Sequence, residues 1–311
     1  MCNWSKILEE SQKHITPQNP NGGVQFVIEK KRQYLKQLSE KTGRNTILYF
    51  SAFLHKQPSI DASINDKDLN AFMENVYKLD KSKGLDLILH TPGGDLAATE
   101  QIIKYLHASF HGDVRAIVPQ MAMSAGAMIA VSCKSILMGK QSCLGPFDPQ
   151  LNGVACQSVV SEFYKAVDDV RRNPASLGLW QAIISKLTPA FITSCNQASL
   201  LADELTERIL SDKKFTDDVK AKIKTTFTDN TDSKTHNRHI DKDRCIECGL
   251  NIDNLEDNQE IQDIVLAIHH CCMILGENSN ITKIVENNIG GAYICHVQQP
   301  TPIPMPMPIR R

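Results

Sequence analysis

The amino-acid sequence predicts an α/β fold in which right-handed crossovers join the strands of a sheet. Between residues 45 and 138, short apolar stretches typical of buried strands alternate with amphipathic patterns of helical length. Helices of that length between successive strands favour right-handed crossovers. With 311 residues and 41% hydrophobic content, the chain can bury one large core or two modest ones.

The predicted elements follow one another in a regular order. Strands are expected over residues 46–50, 85–89, 114–118 and 135–138, with helices over 65–79 and 97–110 between them. An apolar helix follows Ser124, and two long helices are expected over 156–172 and 179–210, separated by Asn173 and Pro174. A short helix over 241–250 and an amphipathic helix over 258–275 complete the pattern.

These elements divide the chain into four segments. Residues 1–44 are predicted as a helical N-terminal extension interrupted at Gly22–Gly23, and residues 45–255 as the main α/β domain. Residues 256–297 are predicted as a C-terminal helical segment. Residues 298–311 place a proline at every second position from 300 to 308, which predicts an extended, disordered tail.

Charge and composition exclude several classes of protein. The formal net charge is -1 and charges of both signs are interspersed, so neither nucleic acid nor an anionic membrane surface is an expected partner. The longest apolar stretch, residues 121–133, is shorter than the roughly 20 residues that span a bilayer, and no signal-peptide pattern opens the chain. We therefore expect a cytoplasmic protein without membrane insertion, whose ten scattered cysteines are reduced thiols.

Two motifs at strand ends carry the chemistry. The strand over 85–89 runs into the turn Pro92–Gly94, where glycines let backbone N–H groups approach a substrate carbonyl closely. The strand over 114–118 leads to Ser124, which is flanked by small residues and opens an apolar helix. Ligands of open α/β sheets bind at the carboxyl ends of the strands. The two motifs predict a hydrolytic serine with an oxyanion hole, and the alternative is an ordinary turn followed by a helix N-cap.

Three segments of the sequence resemble a known family. His90-Thr-Pro-Gly-Gly-Asp95, Gln120-Met-Ala-Met-Ser-Ala-Gly-Ala127 and Leu144-Gly-Pro-Phe-Asp-Pro-Gln150 are similar, in this order, to the serine dehydrogenase proteinase family. That family belongs to the signal peptide peptidase relatives within the Clp protease/crotonase fold group. The resemblance extends over about residues 45–255, since residues 235–240 and 244–250 also look like the family's final active-domain segment.

The resemblance implies a Clp protease/crotonase-like ββα superhelix with additional helices, and a serine peptidase mechanism. Ser124 would attack the carbonyl of a peptide or protein substrate. The backbone N–H groups of Gly94 and Ala125, beside Gly93, would hold the oxyanion that forms. Each such donor contributes about 2.7–4 kcal/mol to the rate, so two donors supply a large part of the mechanism.

The resemblance also implies features around the nucleophile. Asp148 and Gln150 are expected to shape the substrate groove. Self-association into a homo-oligomer is expected, because relatives assemble into dimers, trimers or rings. Neither a cofactor nor a metal ion is expected.

The general base is an open question at this stage. Clp-type relatives carry a histidine a short distance beyond the serine, where this chain has Phe147–Gln150. Signal peptide peptidase relatives use a lysine, and Lys165, 41 residues beyond the serine, has a similar position. A lysine base must be desolvated, since its reference pKa is near 10.4. Lys186 and His236 are the alternatives, with His239 close to the latter, and the reference pKa of histidine suits the task.

Three further interpretations stay open. His236, His239, Cys245 and Cys248 have the spacing of a four-ligand zinc site, although both cysteines also fall on a predicted helix. A catalytically idle binding or scaffolding protein on the same fold would need no base. A crotonase-like acyl-thioester enzyme would need an acid near the oxyanion hole, and Asp95 is the acid beside the two glycines.

Overall fold

The computed structural model describes residues 4–57, 62–213, 215–228 and 239–297, so the predicted tail and His236 lie outside the described residues. The central sheet contains β1 (Asn45–Ser51), β2 (Leu85–His90), β3 (Val114–Val118), β5 (Ser135–Met138), β10 (Ile252–Asn254), β11 (Ile281–Asn287) and β12 (Ala292–His296). Their order across the sheet is β10-β5-β3-β2-β1-β11-β12. The first five of these are parallel, whereas β11 pairs antiparallel with both β1 and β12.

Two smaller sheets accompany the central sheet. Strands β4 (Met121–Ala122), β6 (Cys143–Leu144) and β9 (Ile240–Asp241) form one of them, and β7 (Gln150–Leu151) pairs with β8 (Val154–Ala155) in the other. Strand β4 follows directly on β3 in the chain, so the three-stranded sheet lies beside the edge where ligands of α/β proteins bind.

Helices cover both faces of the central sheet. They are α1 (Trp4–Gln12), α2 (Gly22–Thr42), α3 (Asp66–Val76), α4 (Leu96–Ser109), α5 (Ala125–Ser132), α6 (Cys156–Arg172), α7 (Leu177–Ile184), α8 (Pro189–Asp212), α9 (Asp217–Thr228), α10 (Lys242–Glu247) and α11 (Gln259–Asn278). Among the described residues, no helix combines the length and the apolar character needed to cross a bilayer.

The sheet separates two apolar cores. Strand β2 is buried along its whole length, as expected of a parallel strand covered on both faces. Leu87 and Leu89 face the core that contains α3, α4 and α5, while Ile88 faces the core that contains α2 and α11. This alternation fixes the register of β2, because a slip by one residue would exchange the two faces.

Helices α6, α7 and α8 form a helical arm, residues 156–212, whose outer surface is rich in exposed apolar side chains. These include Tyr164, Val167, Leu177, Leu179, Ile183 and Leu200. A groove of about 590 Å³ runs between α6 and α7, with Trp180 and Leu187 in its wall. The arm therefore presents an apolar surface that the central core does not cover.

The structure confirms the predicted α/β fold and departs from the predicted elements in two places. The single helix expected over 179–210 is divided, because Thr188 caps a new helix by accepting a hydrogen bond from the Phe191 N–H and Pro189 occupies the first helical position. The segment 256–297 is helical only in its first half, and its second half supplies β11 and β12. Strand β11 is buried at every position, so it reads as a continuous core segment without the alternation that marks a half-exposed strand.

Candidate active site

The two motifs predicted to carry the chemistry meet at one edge of the sheet. The Thr91 N–H donates to the Met121 carbonyl at 3.3 Å, and the Met123 N–H donates to the Thr91 carbonyl at 3.0 Å. These bonds form a parallel bridge between Thr91 and Ala122. The turn after β2 and the segment before Ser124 are therefore joined directly by backbone hydrogen bonds.

Ser124 has an unusual backbone conformation for a residue with a side chain. Its φ is 49° and its ψ is −122°, and it immediately precedes α5. Residues with side chains rarely occupy this region, and such strain concentrates at functional sites. Although Ser124 is the N-cap residue of α5, its hydroxyl makes no capping hydrogen bond. A sharp strand-to-helix turn that exposes a serine hydroxyl is the geometry of a nucleophile elbow.

The Gly93–Gly94 turn packs against this serine. Gly93 has a φ of 94°, and a Cβ atom there would lie 2.7 Å from the Met123 carbonyl oxygen and 2.8 Å from the Ser124 Cβ. A Cβ atom on Gly94 would lie 2.3 Å from both the N and the O of Ile64. Only glycine fits at either position, since other residues would force the two segments apart.

The turn leaves one backbone donor unengaged. The Gly93 N–H donates to the Thr91 hydroxyl at 3.1 Å, and the Asp95 N–H donates to the Ile64 carbonyl at 2.9 Å. Between them, the Gly94 N–H has no acceptor among the described residues. The Gly94 N–H is thus free to bind a substrate oxygen.

Ala125 supplies a second donor of this kind. It is the first residue of α5, and its N–H has no hydrogen-bond acceptor within the described part of the chain. The first N–H groups of a helix lack intrahelical partners and carry the positive end of the helix dipole. Two N–H groups beside a serine hydroxyl are what an oxyanion hole requires.

Comparison with known proteins identifies the family of this chain. The sequence model of the ClpP-like SDH-type serine proteinase family matches residues 18–256. The chain belongs to this family. The predicted resemblance and the ClpP-like fold are therefore confirmed, and the match begins within the segment predicted as an extension.

Two proteins of Methanocaldococcus jannaschii are similar in sequence to this chain. Uncharacterized protein MJ0137 is 36% identical over 133 residues, which is 40% of this chain and 45% of the relative. Uncharacterized protein MJ1495 is 27% identical over 158 residues, which is 49% of this chain and 52% of the relative. The chain spans about half the length of the curated relatives it matches.

The structure places two of the three candidate bases of this ClpP-like chain in solvent. The Lys165 side chain, on α6, is 63% exposed and lies 3.8 Å from Glu162. Lys186 is exposed in the turn between α7 and α8. Neither lysine has the desolvation that a neutral lysine base requires, so exposure counts against each of them. The role of general base stays a prediction for both lysines. His236 lies outside the described residues, and His239 is exposed.

Strand β9, which begins four residues after His236 in the sequence, lies in the small sheet next to the serine. Strand β9 pairs with β6 so that Ile240 lies opposite Leu144. The next residue, Gly145, packs so closely on the serine that its Cβ would lie 2.8 Å from the Ser124 N. The described part of the chain contains no hydrogen bond from a titratable group to the Ser124 hydroxyl.

The segment 144–150 forms a fixed wall next to this position. The Phe147 N–H donates to the Phe227 carbonyl at 2.7 Å, and the two rings stack with centroids 4.6 Å apart. Asp148 is buried. The pKa of the nearby Cys156 thiol is raised to about 12, first by the burial of that thiol and then by its neighbours Cys195 and Asp148. Gln150 is exposed at the start of β7. Their predicted role in the substrate groove stays a prediction.

Two of the four possible zinc ligands are buried thiols, and His236 lies outside the described residues. Cys245 and Cys248 belong to the apolar core, and burial raises the pKa of both thiols, which opposes the thiolate form that binds metal. No group of three acidic, histidine or cysteine side chains is placed to hold a metal ion within residues 4–57, 62–213, 215–228 and 239–297.

Asp95, the acid required by the acyl-thioester hypothesis, has a structural role. Its carboxylate caps α4 by accepting the Ala98 N–H at 2.7 Å. A carboxylate at this position satisfies one of the N–H groups that have no intrahelical partner. Asp95 therefore caps the helix that follows the Gly93–Gly94 turn.

Sequence reasoning missed two groups that support the site. Lys213 donates from Nζ to the carbonyls of Val131 and Cys133 and so caps the C-terminal end of α5, the helix that begins after the serine. His90, directly before the turn, is buried against Phe50 and His269, and burial lowers its pKa to about 3. The spacing of these residues in sequence carries no signal for either contact.

Proposed function

We propose that this member of the ClpP-like SDH-type serine proteinase family is an active serine peptidase that transfers an acyl group to water. Ser124 is the nucleophile in this proposal, and the Gly94 and Ala125 N–H groups hold the oxyanion. The observation that carries the proposal is the strained Ser124 conformation, in which the hydroxyl caps nothing and the serine packs on Gly93.

The proposed reaction has two acyl-transfer steps. The Ser124 oxygen attacks the scissile carbonyl and its proton passes to the base, while the carbonyl oxygen becomes an oxyanion held by the two N–H groups. The C–N bond then breaks, the proton goes to the leaving amine, and an ester to Ser124 remains. Water attacks this ester in the same way and releases the acid. Both donors belong to rigid backbone, so no reorganisation is needed as charge develops.

Covalent labelling with a fluorophosphonate tests this proposal. Wild-type protein should be labelled at Ser124, and Ser124→Ala should lose labelling and all peptidase activity with its fold retained in circular dichroism. Ser161→Ala, at an exposed serine of α6, is the matched control and should be labelled like wild type. Persistent labelling of Ser124→Ala, or an unlabelled wild type, would refute the nucleophile and favour the idle binding or scaffolding protein.

The base is proposed among Lys165, Lys186 and His236, and the pH dependence of labelling distinguishes them. A histidine base gives a labelling rate that rises with pH and levels off above its reference pKa of about 6.5. A lysine base gives a rate that still rises above pH 8, since the neutral amine is required. Variants Lys165→Met, Lys186→Met and His236→Gln then assign the group. A variant that keeps the full rate and pH profile excludes its residue.

A further inference from the structure

The direction of the Gly94 N–H is set by its neighbour Ile64. The Ile64 N–H donates to the Gly93 carbonyl at 2.8 Å, and the Ile64 carbonyl accepts the Asp95 N–H at 2.9 Å. In a trans peptide the carbonyl of one residue and the N–H of the next point in opposite directions. Because the Gly93 carbonyl faces Ile64, the Gly94 N–H points away from it. The position of Ile64 therefore determines where this donor is aimed.

The segment around Ile64 is anchored by a buried lysine of β11. Lys283 donates from Nζ to the Ser63 carbonyl at 2.6 Å and forms an ion pair with Asp68 at 3.1 Å. The two side chains are 4% and 2% exposed. The Ser51 hydroxyl holds the same segment one residue earlier, by donating to the Ala62 carbonyl at 2.6 Å.

Asp68 completes this anchor. It accepts the Tyr49 hydroxyl at 2.9 Å and the Asn65 N–H at 2.9 Å, so it also caps α3. A capping carboxylate needs no buried ammonium beside it, and burial of a lysine is costly unless each donor is satisfied. The additional bond from Lys283 to the Ser63 carbonyl extends the ion pair to the segment that touches the turn.

We propose that Lys283 is a positioning residue for the oxyanion hole: through the Ser63 carbonyl and Asp68, it holds Ile64 in the place that aims the Gly94 N–H at the substrate. The inference rests on the proposed function, because it matters for a rate only if that N–H binds an oxyanion. Displacement of a catalytic group by about 1 Å costs about 100-fold in rate, so an anchor of this kind affects catalysis without touching substrate.

The chain offers a matched control for the loss of a buried lysine. Lys31 of α2 forms an ion pair with Glu286, which is also on β11, and both side chains are fully buried. Glu286 retains Arg32 when Lys31 is removed, just as Asp68 retains Tyr49 when Lys283 is removed. Glu286 is an odd number of residues from Lys283, so the two side chains lie on opposite faces of the sheet. Lys31→Met therefore removes a comparable ion pair away from the turn.

The test compares Lys283→Met, Lys31→Met and wild type in the full chain, below the melting temperature of each. Lys283→Met should slow fluorophosphonate labelling of Ser124 by about 10- to 100-fold, and Lys31→Met should label within twofold of wild type. Hydrolysis of a p-nitrophenyl ester should lose kcat at unchanged KM in Lys283→Met. Tyr49→Phe removes one hydrogen bond to Asp68 and keeps the ion pair, so it should slow labelling by a smaller factor than Lys283→Met does. This variant tests the proposal if Lys283→Met does not fold.

Amide hydrogen exchange separates this inference from the proposed function. The Ile64 and Asp95 amides should exchange faster in Lys283→Met, or in Tyr49→Phe, than in Lys31→Met. If wild type is not labelled, the proposed function fails, while faster local exchange still supports the anchor. Equal slowing of labelling in Lys283→Met and Lys31→Met, or unchanged exchange at Ile64 and Asp95, would overturn the positioning role.

Discussion

The nucleophile edge, residues 91–95 with 121–125, and the helical arm are built in opposite ways. At the nucleophile edge, Gly93 accepts a hydrogen bond from the Ile64 N–H and packs against Ser124, so backbone of one chain fixes the turn. Along the arm, apolar side chains such as Tyr164 and Leu179 face outward. The comparison indicates that the proposed oxyanion hole takes its geometry from the chain itself, whereas the described part of the chain leaves the outer surface of the arm uncovered.

Alanine at two glycines gives the largest contrast between these regions. Gly94→Ala should reduce labelling by about 100- to 1,000-fold, because its Cβ would meet the Ile64 backbone and displace an oxyanion donor. Gly178→Ala, in α7 of the arm, meets no atom within 4 Å and should stabilise its helix by about 0.5–1 kcal/mol. Labelling rates test the expected loss in Gly94→Ala, and melting temperatures test the expected stabilisation in Gly178→Ala. Normal labelling of Gly94→Ala would remove the turn from the site.

Acid should weaken the sheet and spare the arm. Burial lowers the pKa of His55, His90, His269 and His270 below the histidine value of the unfolded chain. Below a pH of about 6.5 the unfolded chain thus binds more protons than the folded one, and stability falls as the pH drops toward 3. Each histidine adds a slope of up to about 1.4 kcal/mol per pH unit. The arm, residues 156–212, contains no histidine.

The two tryptophans of the chain report on the two regions separately. Trp4 lies 6.0 Å from His270 between ring centroids, and Trp180 lies in the groove of the arm. Urea unfolding of Trp180→Phe, followed by Trp4 fluorescence, should show a midpoint that drops between pH 7 and pH 5. Unfolding of Trp4→Phe, followed by Trp180 fluorescence, should begin at a lower urea concentration, and its midpoint should change less between pH 7 and pH 5 because the arm contains no histidine. One shared, pH-dependent transition would contradict the separation of the regions.

The smallest effect is expected at the outer surface of the arm. Leu179 is 65% exposed, so Leu179→Ser should change the free energy of unfolding by no more than about 0.5 kcal/mol and leave labelling unchanged. Sedimentation velocity at several concentrations provides the decisive measurement. A lower sedimentation coefficient in Leu179→Ser than in wild type would show that copies of the chain meet at this surface and would support the predicted homo-oligomer, whereas equal coefficients would exclude Leu179 from such a contact.

Local patterns predicted most of what surrounds the nucleophile. The strands before Gly93 and Ser124 are apolar, short and separated by helical patterns, so their order and their carboxyl ends followed from the sequence. Glycine and serine at these ends pointed to the turn and to the elbow. These features depend on residues close together in the chain, which is why the sequence reveals them.

Contacts between distant residues could not be predicted in this way. Lys213 caps the far end of α5 and Lys283 anchors the Ile64 segment, yet a lysine in either sequence context reads as a surface residue. Strand β11 was missed because it enters the sheet antiparallel after a long helix and is buried on both faces. In each case, the deciding partner is more than 80 residues away or on another element.

Strand β11 also determines when the site is complete during synthesis. A ribosome that has released residues 1–250 has already exposed the Gly93–Gly94 turn and Ser124, but β1 still lacks its antiparallel neighbour and the Ile64 segment lacks Lys283. With Lys283 as the proposed anchor, the nucleophile edge reaches its final geometry only when residues 281–287 have been made and paired. By that point every other strand of the central sheet except β12 has already been made.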